Sequence, residues 1–456
     1  MATFAKAWTV RDTEEHPKSR RIHRSSSVAA DSAGGGSLPN APKEQGRTTL
    51  RTAYVRSHPW GMSNALHAIR TADDGTVLAP REAGPNRVAY LDNLKVLMVA
   101  GVIAGHAIAG YAGMNWTYAD VAEGEMGILS QSVFGLLILP FAVFVMALFF
   151  LVAGLLTPGS LDRKGPGRFA RDRLVRLGIP LAAFTLVLWP LMTYGLYRAA
   201  GSDWSLWDVY ADDPTLDNGP LWFVEALLIF SLAYAGWRAW RLRRPDTRRK
   251  ASGLLRPRSL VVLGALIAIA TFITRLWFPF DSLQFTNAHV WQWPECIGLF
   301  GLGIVSARGG WLRPVPERIR RGCGWVAMIA TAALVAAFAS TQDPDRSVDA
   351  FGGGWRWEAL ALAAIGGAMS VAASIWVLAV VQRRCDRAGR TARAMARSAY
   401  AAFMLQGIPL ILFALALRAF DVPLEIKALV VAVGGIAGSF GLAWLVVSRT
   451  RLGQIV

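Results

Sequence analysis

"LDNLKVLMVAGVIAGHA", residues 91–107, decides the fold class. The stretch is apolar enough to cross a bilayer as a helix, yet it holds Lys95 and, eleven residues on, His106. A helix turns about 100° per residue, so eleven residues return to within about 20° of the same face. Lys95 and His106 therefore share one stripe, about 16 Å apart along the axis, which sets Lys95 at an interface and His106 near the bilayer midplane. An imidazole at that depth is a functional candidate because desolvating it is costly. The plainer readings are a lysine snorkelling at the helix end and a histidine bonded to a neighbouring helix.

Apolar runs of similar length recur outward from this stretch, at about 92–112, 127–156, 177–197, 219–237, 259–279, 289–307, 323–340, 357–381, 398–417 and 426–447. Each is long enough to span roughly 30 Å of hydrocarbon, where the backbone must satisfy itself as a helix. The composition agrees. The chain has 456 residues, of which 54% are hydrophobic and only 17% charged, against about 25% charged in a soluble domain. The expected fold is all-α, a polytopic membrane protein of about ten transmembrane helices covering residues 87–448. Residues 1–86, rich in Ser, Gly, Pro and Arg without an apolar period, read as a disordered cytoplasmic tail. Residues 449–456 read as a short cytoplasmic one.

The net charge of +17 is unevenly placed. Residues 158–176 carry six Lys or Arg, 238–258 nine, 308–321 five and 383–397 six, whereas 113–126, 199–218 and 280–288 carry none. The second set holds Asp120, Asp203, Asp208, Asp212, Asp213 and Asp217. Under the positive-inside rule the basic loops are cytoplasmic, and so are both termini. The charge then sets topology, and no nucleic-acid partner is expected. Cys296, Cys323 and Cys385 show no CxxC spacing and make neither a disulfide framework nor a metal site.

"YLDNLKVLMVAGVIAGHAIAGYAG" resembles the first helix of the acyltransferase family 3 membrane proteins, whose basic residue, ten intervening residues and His correspond to Lys95 and His106. "MALFFLVAGLLTP" (146–158) resembles that family's second helix, and "RLVRLGIP" (173–180) its Arg-x-x-Arg motif. "GPLWFVEALLIFS" (219–231), "GLFGLGIVSARGGWL" (298–312) and "SAYAAFMLQGIP" (398–409) are similar to the branch related to glucan succinyltransferases. That branch commonly has a His near the end of the last segment, where this chain has Gln406.

The resemblance implies transfer of an acyl group from acyl-CoA, as co-substrate and not a permanently bound cofactor, to a hydroxyl of a saccharide or similar acceptor. His106 would be the general base, and Lys95, Arg173 and Arg176 would bind the CoA phosphates. Guanidinium groups suit phosphate bidentately and lysine adds a point charge, although topogenic charge alone also accounts for both arginines. Glu225, a second intramembrane ionisable residue, would orient the imidazole as carboxylates do in triads, or be a carboxylate satisfied by water or another helix. Arg275 and Glu358 are candidates for holding the acceptor or an anionic acyl head, with interface anchoring as the plainer reading. His289, beside Trp291 and Trp293, reads mainly as part of an aromatic belt. Two other classes stay open: a proton-coupled transporter, and a non-catalytic acyltransferase-like membrane protein. The acyl group, the acceptor and the oligomeric state are not legible in the sequence.

Overall fold

The computed structural model describes residues 89–112, 126–199, 201–212, 217–242, 256–280, 282, 284, 286–309, 314–341, 349–387 and 389–450. The tail read over residues 1–86 lies outside these, as do most of the loop at 113–126 and residues 451–456. Every described element is a helix or a turn. The principal helices are α1 (Ala89–Tyr111), α2 (Ile128–Lys164), α3 (Pro166–Ala199), α4 (Trp222–Arg241), α5 (Pro257–Trp277) and α6 (Trp293–Arg308). They continue with α7 (Glu317–Ser340), α8 (Trp357–Arg384), α9 (Arg390–Leu405), α10 (Gly407–Leu417) and α11 (Leu424–Arg449).

All ten apolar runs fall on helices, but fewer qualify as spans. Eight helices among the described residues are long and apolar enough to cross a membrane, or nine if α9 and α10 form one span bent by 65°. The expected sixth span is cut short. Its first residues form a left-handed turn at His289 and a 3-10 turn at Val290–Gln292, which leaves only 16 residues for α6. The molecule is an all-α polytopic membrane protein, as its sequence predicts.

Proline and glycine shape the interior. In α3 two π-helical stretches, Leu174–Gly178 and Phe184–Leu188, each end two residues before a proline, Pro180 and Pro190. A proline supplies no N–H and crowds the carbonyl four residues back. Widening the preceding turn relieves both constraints and lets the helix continue. Between α9 and α10 the break falls at Gln406, before Gly407 and Pro409. α2 and α6 pack with backbones in direct contact. A side chain at Gly154 would strike the Phe300 carbonyl, and one at Gly303 the Leu151 carbonyl. Small residues permit this approach where no hydrophobic effect between helices exists to replace it.

α8 is the most enclosed span, packed against α2, α5 and α7. α1 lies against α2, α9 and α11, and the first turns of α3 lie against α4. Two side-chain bonds join the start of α1 to the end of α8. Asn93 Nδ2 donates to the Cys385 carbonyl at 2.6 Å, and Gln382 Nε2 donates to Tyr90 Oη at 3.2 Å. The alternation of spans therefore defines a basic end, with Lys95, Arg173, Arg176 and Arg383, and an acidic end at the opposite helix termini.

Candidate functional site

His106 lies five residues before the end of α1 at Tyr111, in the half distal to Lys95. The residue as a whole is half-buried, and its Nδ1 is 2.9 Å from Oε1 of Gln406. Gln406 is fully buried at the break between α9 and α10, and its Nε2 donates to the Phe403 carbonyl at 2.9 Å. A carbonyl only accepts, so the amide nitrogen must face Phe403 and the amide oxygen must face the ring. Oxygen likewise only accepts, so Nδ1 of the neutral imidazole carries the proton and Nε2 carries the lone pair. This bond selects the tautomer of the ring, which spacing along the chain does not reveal.

The sequence assigns orientation of the imidazole to Glu225. The structure does not bring the two together. Glu225 Oε2 accepts from Asn218 Nδ2 at 2.5 Å and Oε1 accepts from Thr286 Oγ1 at 2.9 Å. The carboxylate thus ties the start of α4 to the loop before α6, because both neutral donors come from connections at the acidic end. A second tie runs from Asn287 Nδ2 to Asp217 Oδ1 at 3.1 Å. Asn287 and His289 both adopt positive φ, 54° and 49°. Strain of this kind persists where surrounding contacts over-determine it. Here they do: the His289 ring stacks on Trp222 at 4.8 Å and on Trp291 at 5.5 Å. His289 is therefore part of a packed aromatic wall and not only an interfacial neighbour.

At the basic end Lys95 Nζ is 3.5 Å from Asp92 Oδ1, one turn back on α1, with a third of its side chain exposed. Arg176 Nε pairs with Asp172 Oδ1 at 2.9 Å, and Lys164 Nζ pairs with Asp172 Oδ2 at 2.8 Å. The Arg173 guanidinium lies 4.9 Å from the Phe169 ring centre, and its Nε is buried without a hydrogen-bond partner. Arg173 and Arg176 share a membrane face with Lys95, but α1 packs chiefly on other helices.

Arg275 is 5% exposed in the last turn of α5, buried among neighbouring side chains and not open to the surroundings. Its guanidinium lies 5.5 Å from the Trp291 ring centre and 6.0 Å from that of Phe280. Glu358 is half-exposed in the first turn of α8, and no described contact joins it to Arg275. Glu295, which no spacing singles out, is 3% exposed in the first turn of α6 and accepts from Ser370 Oγ at 3.0 Å. Its only sequence signal is a carboxylate inside an apolar run.

A second aromatic cluster surrounds Phe223 on α4. Phe223, beside Trp222, meets Phe149, Phe150 and Phe403, with ring centres 5.1, 5.1 and 6.0 Å apart. Phe403 in turn carries the carbonyl that holds Gln406. Residues 88–448 match a family model described as an acyltransferase domain. No curated protein and no solved structure matches the chain.

Proposed function

Since the chain belongs to this acyltransferase family and is an integral-membrane acyltransferase, we propose that it moves an acyl group from acyl-CoA to a hydroxyl of a saccharide or similar acceptor. The observation that carries this reading is the bond from His106 Nδ1 to Gln406 Oε1, with the amide fixed by the Phe403 carbonyl. A ring so held presents the Nε2 lone pair as a general base. Nε2 takes the proton of the acceptor hydroxyl as its oxygen bonds to the thioester carbonyl carbon. The carbon–sulfur bond then breaks, and the imidazolium returns the proton to the departing thiolate. A base in this role contributes about 10²–10⁴-fold. Gln406 is a positioning residue in this account, standing where the resembling branch commonly has a His.

Lys95, Arg173 and Arg176 bind the donor phosphates at the basic end, which faces the cytoplasm under the Lys and Arg asymmetry. The pairs of Arg176 and Lys164 with Asp172 are partly exposed and weak, about 0–1 kcal/mol each, so exchanging that carboxylate for a phosphate costs little. Arg275 and Glu358, at the acidic end, are assigned to the acceptor or the acyl head.

The test uses purified protein in lipid with acyl-CoA and a saccharide acceptor, followed by mass spectrometry of the acceptor. Acylated product from wild type, and none above background from His106→Ala, is the expected result. Transbilayer movement of an unmodified solute by both proteins would instead assign transport. Orientation is read separately. An impermeant thiol reagent added outside cells should label Asp208→Cys and spare Arg163→Cys, two exposed positions at opposite ends. The reverse pattern removes the assignment of donor binding to the cytoplasmic side.

A further inference from the structure

The acidic end contains a set of buried donors with nothing to donate to. Nε and Nη1 of Arg275 are buried and without hydrogen-bond partners among the described residues. So is Nε1 of Trp291, whose ring faces that guanidinium, and so is Thr271 Oγ1, four residues before Arg275 on the same face of α5. Leaving a buried polar group unpaired is costly, and native structures hold few such groups. Two nitrogens of one cation, with an indole N–H and a hydroxyl beside it, are not an accident of loose packing, because the segment beside them is tightly held. Gly353 lets its loop close on the Arg275 carbonyl, where a Cβ would lie 2.5 Å from the oxygen. Phe280 N–H donates to the Gly352 carbonyl at 2.7 Å.

The chemistry of the unfilled set is one-sided. Three of the four atoms only donate, and the fourth is a hydroxyl that donates as readily as it accepts. Glu295 acts on the Arg275 charge from nearby, yet its Oε2 is engaged by Ser370 and no described ion pair joins it to the guanidinium. The N–H groups of Arg275 are thus left to another acceptor. A guanidinium matches the two oxygens of a carboxylate bidentately. The Trp291 and Phe280 rings form apolar walls beside it.

We propose that Arg275, Trp291 and Thr271 form a carboxylate-binding subsite for one of the two substrates, walled by Phe280. This rests on the acyl-transfer reading only for the identity of the bearer, which is the acyl group or the acceptor. Binding is therefore measured without turnover.

The full chain, purified in nanodiscs, is titrated with benzoate and with its neutral isostere benzamide, by calorimetry and by the shift in unfolding temperature. Benzoate should bind at least ten-fold more tightly than benzamide. Arg275→Gln should abolish that preference. Trp291→Phe keeps the ring wall and removes only the N–H, and should weaken benzoate three-fold or more while leaving benzamide unchanged. Should Arg275→Gln fail to fold, Trp291→Phe carries the test alone. Equal binding of acid and amide, no binding of either, or a preference untouched by these substitutions overturns the subsite.

Two transfer arms identify the bearer. One compares a carboxylated acyl-CoA with its methyl ester on a neutral sugar, and the other compares a uronic acid with the neutral sugar using a neutral acyl donor. A preference for the acid in one arm, lost in Trp291→Phe, assigns the carboxylate to that substrate. Preference in neither arm overturns its assignment to a substrate. Benzoate binding that persists in His106→Gln while transfer is lost separates this subsite from the catalytic base.

Discussion

The two ends of the helix bundle handle charge in opposite ways. At the basic end, cations meet carboxylates: Lys95 with Asp92, Arg176 and Lys164 with Asp172, Arg238 with Asp162, and Arg320, Arg321 and Arg383 with Glu317. At the acidic end, the half-buried carboxylate of Glu225 and the buried one of Glu295 take neutral partners. Glu225 is held by Asn218 and Thr286, and Glu295 by Ser370, while Arg275 sits among rings. The ion pair described there, Arg198 with Asp203 at 3.8 Å, is exposed. The difference teaches where each kind of ligand can enter. Solvated ion pairs exchange partners at little cost, which suits a dissociating phosphate-bearing donor. Buried groups held by fixed neutral donors keep their geometry, which suits transfer itself.

Removing a buried carboxylate should have the largest effect. Glu295→Leu takes away the acceptor of Ser370 Oγ, and leaving such a buried group unsatisfied costs about 1–3 kcal/mol, more where a charge is involved. Thermal unfolding in lipid should show a large drop in midpoint, or no folded protein at all. An unchanged midpoint would erase the contrast between the two ends.

Next in size is Gln406→Leu, which removes the acceptor for His106 Nδ1. A lost hydrogen bond of about 1–2 kcal/mol corresponds to roughly a ten-fold fall in kcat, with donor KM unchanged. Gln406→Glu keeps an acceptor at that position and should retain more activity than Gln406→Leu. Equal kcat for the two variants would remove Gln406 from the positioning of the ring.

The smallest effect is expected from Asp172→Asn at the basic end. The carboxylate is about a quarter exposed, and its Lys164 and Arg176 partners are each about a third exposed, so stability should fall by about 1 kcal/mol or less. A drop as large as that of Glu295→Leu would mean that the basic end is not loosely paired.

The apolar runs and the charge alternation made the helices legible, because both are local properties read along the chain. The Lys95 and His106 face was legible for the same reason, being set by helical period within α1. The partner of His106 was not: Gln406 lies 300 residues away, and only its replacement of a His drew notice. Glu225 was legible as an intramembrane carboxylate, but the short polar residues that hold it, Asn218 and Thr286, sit in connections without a pattern. Glu295 and Arg275 show the same limit. Each is visible as an ionisable residue in an apolar run, but their proximity depends on α5, α6 and α8 packing together. The truncated sixth span was hidden by two positive-φ residues, Asn287 and His289, that no glycine announces.

The central claim is that the two ends divide the work, with donor binding at one and proton transfer at the other. The most direct test measures kcat and donor KM side by side for Lys95→Ala and His106→Gln, with purified protein in lipid and saturating acceptor. Lys95→Ala should raise donor KM and leave kcat nearly unchanged, whereas His106→Gln should lower kcat by about 10²-fold or more and leave donor binding intact. Near-normal kcat in His106→Gln would contradict the account, making that histidine a helix–helix contact and not a base.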